Sequence, residues 1–225
     1  MSKILSGIAG FFKGEGWSRY RKSFRYAFYV ILHPFDGFWD LTHEKRGSMA
    51  VAHTIVILTV LTHIWDRRFT NFMLNNTRWS EFSIWLNTLG ILVPLLIWVT
   101  ANWCVTTLFD GKGRFYEIYM GTAYALTPYP LIGLPMILLS NVVTKEEGVF
   151  YTYFNTFALI WAGFLILCAV LMIHDYSLLK GIVVILASIV GMAIIMFVCL
   201  LFFSLISDAI MYLVSLYKEL LFRIS

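Results

Sequence analysis

The sequence predicts an all-α membrane protein of about five transmembrane helices, with a proline-broken third span and an interfacial N-terminal helix. Three observations carry that expectation. Hydrophobic residues fill 60% of the 225 positions and charged residues only 13%, where a soluble domain carries roughly 25% charge. The mean hydropathy is +0.77. The charged residues gather into short clusters, and these separate apolar runs close to the ~20 residues that cross a hydrocarbon core.

The first 48 residues precede those runs and hold 8 of the 17 lysines and arginines, interleaved with aromatics. The net charge of +4 therefore points to anionic lipid headgroups and not to nucleic acid. Ile4 to Phe12 is a short apolar run, but Lys13 and Glu15 follow it without a small-residue cleavage pattern. The segment is expected to stay on the mature chain. From Trp17 onward, Tyr20, Phe24, Phe28 and Ile31 recur at helical spacing, with Arg19, Lys22 and Arg25 off that face. Such a helix lies in the headgroup plane with its rings toward the acyl chains. The alternative is a helix packed on the rest of the protein.

His33 to Met49 reads HPFDGFWDLTHEKRGSM and is the last polar segment before the first apolar run. Pro34 ends one helix and suits the first position of the next. Asp36 falls in the new first turn, Lys45 and Arg46 in the last, and Gly47 is a candidate cap. The spacing thus predicts a short helix over 34–46. Asp36, Asp40 and Glu44 line one side; Phe35, Phe38, Trp39 and Leu41 cover most of the rest. The acidic groups are expected to pair with Lys45 and Arg46 and clamp this helix to the bundle.

Four further segments follow the first span, which is expected over Met49 to Trp65. The second runs from Phe82 to Phe109, with Pro94 near its middle. The third, Tyr116 to Val143, holds Pro128, Pro130 and Pro135 and cannot be one straight helix. Broken backbone in lipid must be buried in protein or line a cavity, so this span belongs inside the bundle. The fourth covers Phe154 to Ile173. The last apolar stretch, Ile182 to Tyr217, would be roughly 54 Å long as a helix, more than one crossing needs. Cys104, Cys168 and Cys199 each lie in an apolar run and read as packing residues.

An odd number of spans places the termini on opposite sides. With the N-terminus inside, inside segments carry 11 lysines and arginines and outside segments 6. That asymmetry predicts a cytoplasmic N-terminus and an outside C-terminus. The expected organisation is a cytoplasmic, interfacial lead-in over 1–48, a membrane domain over 49–217 and a short tail over 218–225. The host is read as a cell membrane, with the endoplasmic reticulum or Golgi as the alternative. Asn75 heads an Asn-Asn-Thr sequon on the outer side, relevant only in a secretory-pathway host.

No activated nucleophile with a base in reach is recognisable, so no catalytic residue, cofactor or enzyme activity is predicted. His33, His43 and His53 with Asp36, Asp40, Glu44 and His174 could suggest a divalent metal. However, there is no HExxH or compact ligand pair, and ten-residue spacing turns successive histidines about 80° apart. No metal site is expected. Asp208 is read as an interfacial carboxylate near the outer end of the last helix. Asn87, Asn102, Asn141 and Thr100 are candidates for interhelical hydrogen bonds.

The lead-in HPFDGFWDLTHEKRGS and the third-span run GTAYALTPYPLIGLP, with its Gly121-x-x-Tyr124-x-x-x-Pro128 pattern, resemble the Yip domain family. These are Ypt/Rab-interacting multi-pass membrane proteins, and the likeness reads closest to bacterial members. It covers about 33–217. The resemblance implies five spans, a cytoplasmic N-terminus and a non-enzymatic protein that acts through partners. Eukaryotic members carry an Asp-Leu-Tyr-Gly-Pro type motif where this chain has Asp36-Gly37-Phe38-Trp39-Asp40-Leu41, so Rab binding does not carry over.

The function expected is a scaffold or adaptor for other integral membrane proteins, or a local shaper of the bilayer; the resemblance to bacterial members implies a place accessory to a transport system. Asp36, Phe38, Trp39, Asp40 and Glu44 form the candidate partner-binding set. Tyr124, Pro128, Pro130 and Pro135 are candidates for a structural or cavity-lining role. The alternative is a small solute transporter or channel built on the broken third span. Self-association is left open.

Overall fold

The computed structural model describes residues 15–75, 82–144 and 146–224. The Ile4 to Phe12 run and most of the Asn75 sequon lie outside them. Eight α-helices and no strand occur among the described residues. They are α1 (Glu15–Leu32), α2 (Pro34–His43), α3 (Met49–Phe69), α4 (Ile84–Leu108), α5 (Phe115–Ala125), α6 (Pro128–Ser140), α7 (Gly148–His174) and α8 (Leu178–Ile224). Five stretches are long and apolar enough to cross a membrane: α3, α4, the α5–α6 pair, α7, and Leu178–Glu219 of α8.

α7 is the centre of the bundle. It packs against α2, α5, α6 and α8, while α8 runs mainly along α4. The core gathers Phe38, Leu41, Ile55, Val99, Tyr124 and Leu165, all buried. Small residues on α7, among them Ala158, Ala162 and Ala169, are buried as well. Such residues let helices approach closely where lipid offers no hydrophobic drive for association.

The third span is broken as its prolines require, between Ala125 and Pro128. Pro128 has no N–H to offer the carbonyl of Tyr124. Thr127 replaces it twice, donating its Oγ1 at 2.6 Å and its backbone N–H at 3.2 Å. The Leu126 carbonyl, deprived by Pro130, accepts the N–H of Tyr129 at 3.0 Å. A threonine hydroxyl and a tightened turn thus satisfy the freed groups inside the apolar layer.

Several boundaries differ from the sequence expectation. The first span runs on to Phe69, because Asp66 and its neighbours remain useful within the helix. Asp66 Oδ1 accepts the hydroxyls of Thr70 at 3.0 Å and of Tyr151. Asn141 donates to the Phe69 carbonyl at 3.0 Å, closing α3 onto α6 and α7. The fourth span begins at Gly148, not Phe154. The last helix is one unbroken element of 47 residues, about 70 Å long. Beyond Ser188 its described residues are mostly exposed.

α1 packs on the bundle, and the packed face differs from the aromatic one. Ser23, Ala27 and Val30 are buried, whereas Phe28 is 41% exposed. The physical reason is the close approach of α2. A Cβ on Gly37 would lie 3.0 Å from Val30 Cα, a separation that small inward residues permit and rings do not. Phe24 and Phe28 are displaced to the flank.

Candidate functional site

α2 is a short helix fixed on one side and open on the other. Phe38 and Leu41 are buried in the main core, and the Gly37 carbonyl accepts the hydroxyl of Tyr26 at 2.7 Å. Burial, with Asp40 second, holds the Tyr26 phenol well above its ordinary value. The hydroxyl therefore stays a donor across physiological pH.

The helix stops at His43, three residues earlier than expected. Lys45 takes the left-handed conformation, with φ 53°, so it and not Gly47 makes the turn. Gly47 serves close approach instead. A Cβ there would meet Leu41 Cγ and Met120 Sδ, both at 2.9 Å. The turn brings Arg46 back over the helix end, 3.0 Å from Asp40 and in contact with Glu44. Desolvation opposes the guanidinium charge, but the two carboxylates outweigh it and raise the Arg46 pKa above its ordinary value. The Arg46 carbonyl accepts Ser23 Oγ at 3.2 Å, and this ties the clamp to α1.

The five candidate partner residues therefore divide. Phe38 is fully buried and is an anchor. The Asp40 side chain is 18% exposed and held by Arg46. Glu44 is open but shares that arginine. Asp36 is exposed, and Trp39 is 44% exposed. Trp39 stacks on His43 with centroids 3.7 Å apart and planes 11° apart, while Phe35 lies half exposed beside it. The outward edge is thus Phe35, Asp36, Trp39 and His43. The i, i+3, i+7 spacing of Asp36, Trp39 and His43 is the sequence signal that marks this face; of the acidic stripe Asp36, Asp40 and Glu44, Arg46 occupies the last two.

The second candidate set is mostly interior. Tyr124 is fully buried, and Pro128 and Pro130 are buried with it; Pro135 is exposed. The Tyr124 hydroxyl bonds backbone groups of α1 and of the α3 N-terminus. Asn102 is also fully buried and donates to Ser188 Oγ at 3.1 Å, joining α4 to α8. The hydrogen bonds of both side chains run to protein neighbours.

Each histidine has its own company. His33 stacks on Tyr29, His53 bonds Tyr119 at 2.8 Å, His63 approaches Tyr129 at 3.4 Å, and His174 accepts the Gly113 N–H at 3.1 Å. No group of three metal-ligating side chains gathers among the described residues.

A family model described as the Yip1 domain matches residues 28–214. No curated protein and no solved structure matches the chain. The matched region starts within α1, includes the α2 edge and the broken third span, and ends within α8. This is a multi-pass membrane protein, and with the match spanning most of its length the chain belongs to the Yip1 domain family.

Proposed function

We propose that this protein is a non-enzymatic membrane scaffold that holds partner integral membrane proteins against the outward edge of α2. One observation carries the reading. Trp39 is a half-exposed aromatic, stacked on His43, on a helix whose opposite face is locked into the core by Phe38 and Leu41. A pre-ordered indole beside an open carboxylate loses little entropy on binding, and such anchors dominate interface energies. Asp36 forms no ion pair among the described residues, so its charge is free to select a basic partner.

The orientation that fits is a cytoplasmic N-terminus and an outside C-terminus at a cell membrane. The 11-to-6 distribution of basic residues supports it. The 109–114 turn and the 175–177 link share one end of the bundle, as the Lys112–Asp175 pair at 2.8 Å indicates. Partners of a transport system in that membrane suit the role.

Co-purification from native membranes in mild detergent tests the proposal. Trp39→Ala is expected to lower partner recovery about tenfold or more, and Asp36→Ala by less, with both variants monodisperse at matched expression. Unchanged recovery for both sinks the α2 edge as the binding face. A second copy of the chain among the recovered proteins would identify self-association.

A further inference from the structure

An apolar groove of about 260 Å3 opens between α1 and the broken third span. Phe24 and Phe28 form one wall, Ile55 and Leu58 the floor, and Pro130 and Leu131 the other wall. Thr127 also borders it, but its hydroxyl is committed to the Tyr124 carbonyl at 2.6 Å. A bound peptide would find almost no hydrogen-bonding group for its backbone here, whereas a hydrocarbon chain needs none.

The helix that forms one wall of the groove is basic. Arg21 and Arg25 precede Phe24 and Phe28 by three positions each, so they occupy the adjacent stripe of the same helix. Both are exposed, and neither forms an ion pair among the described residues. No carboxylate follows Glu15 on α1. Two guanidinium groups one turn apart, with no acid to neutralise them, suit a phosphate diester, which arginine recognises in bidentate geometry.

We propose that this groove binds one anionic phospholipid, an acyl chain lying between Phe28 and Leu131 and the phosphate at Arg21 and Arg25. This goes beyond the scaffold reading and narrows the general attraction of α1 for anionic headgroups to a single site. It shares no residue with the α2 edge, so either can fail without the other.

The test is native mass spectrometry of delipidated full-length protein titrated with dioleoyl phosphatidylglycerol or dioleoyl phosphatidylcholine. The expected result is one phosphatidylglycerol retained about tenfold more tightly than phosphatidylcholine. In the double variant Arg21→Gln, Arg25→Gln that preference falls to parity. In Leu131→Trp, which fills the groove, retention of both lipids drops. Parity in the unmodified protein overturns the site. So does a phosphatidylglycerol preference that survives Leu131→Trp, because that would mark a basic surface without a groove. Circular dichroism and gel filtration of each variant establish that the helices and the monodisperse state persist.

Discussion

The phenol oxygen of Tyr124 lies 3.2 Å from the backbone nitrogen of Ser48, 76 positions away in the chain. It accepts that N–H and directs its own proton to the carbonyl of Ser23, 3.5 Å away. One buried hydroxyl thus joins the broken third span to the start of α3 and to α1. Ser48 is the N-cap of α3 but makes no capping bond with its own side chain. Tyr124→Phe is therefore expected to cost about 1 kcal/mol, and Tyr124→Ala about 3–5 kcal/mol through the cavity left behind. Unfolding in detergent micelles measures both. Equal stability of Tyr124→Phe and the unmodified protein would show that these bonds add nothing.

The α1–α2 contact is tight at Gly37, whose added Cβ would press on Val30 backbone. Gly37→Ala should destabilise by about 1–3 kcal/mol, as overpacking does. Gly90, on α4, has no neighbour within 4 Å of the same added carbon among the described residues. Gly90→Ala should leave stability unchanged or raise it by up to about 1 kcal/mol through helix propensity. The two substitutions differ chiefly in packing, so a loss at Gly37 with none at Gly90 in one unfolding assay is the expected outcome.

Asn102 and Ser188 form a polar link inside the α4–α8 contact, and Asn102 Oδ1 has no hydrogen-bond partner among the described residues. Ser188→Ala would leave the Asn102 amide without its acceptor as well, at an expected cost of about 1–2 kcal/mol. Adding Asn102→Leu removes the stranded group, and the double variant should recover most of that loss. A double-mutant cycle reads the coupling directly.

Glu147 precedes α7 and accepts both the backbone N–H and the hydroxyl of Thr144, each at 3.0 Å. Those two bonds lower its pKa below the ordinary carboxylate value. A carboxylate depressed in the folded state stabilises it fully above the unfolded value, and the contribution is lost as pH falls through the folded value. Limited proteolysis at 141–148 should therefore accelerate as pH drops through the acidic carboxylate range. Glu147→Gln should be cleaved at a rate that no longer changes there. Parallel pH profiles for the two proteins would contradict the assignment.

The candidate site was only half legible in the sequence. Helical spacing placed Asp36, Asp40 and Glu44 on one side with Trp39 beside them, and the structure leaves Asp36 and Trp39 open, with His43 stacked on the indole. Asp40 and Glu44 share that side with Asp36, yet whether they were available depended on Arg46. That residue reaches them because Lys45 turns left-handed and Gly47 admits Leu41 and Met120. A turn of this kind is set by the neighbours packed against it.

By itself the sequence determined the membrane class, the number of spans and the break in the third one. Each follows from a local cause: runs of apolar side chains that water rejects, and prolines that lack an N–H. The tertiary structure alone decided which face of α1 is packed, which carboxylates remain free, and that Tyr124 and Asn102 are interior links. Those outcomes depend on what lies opposite each residue. Tyr124 meets Ser48 and Asn102 meets Ser188, and contacts between distant segments leave no periodic mark along the chain.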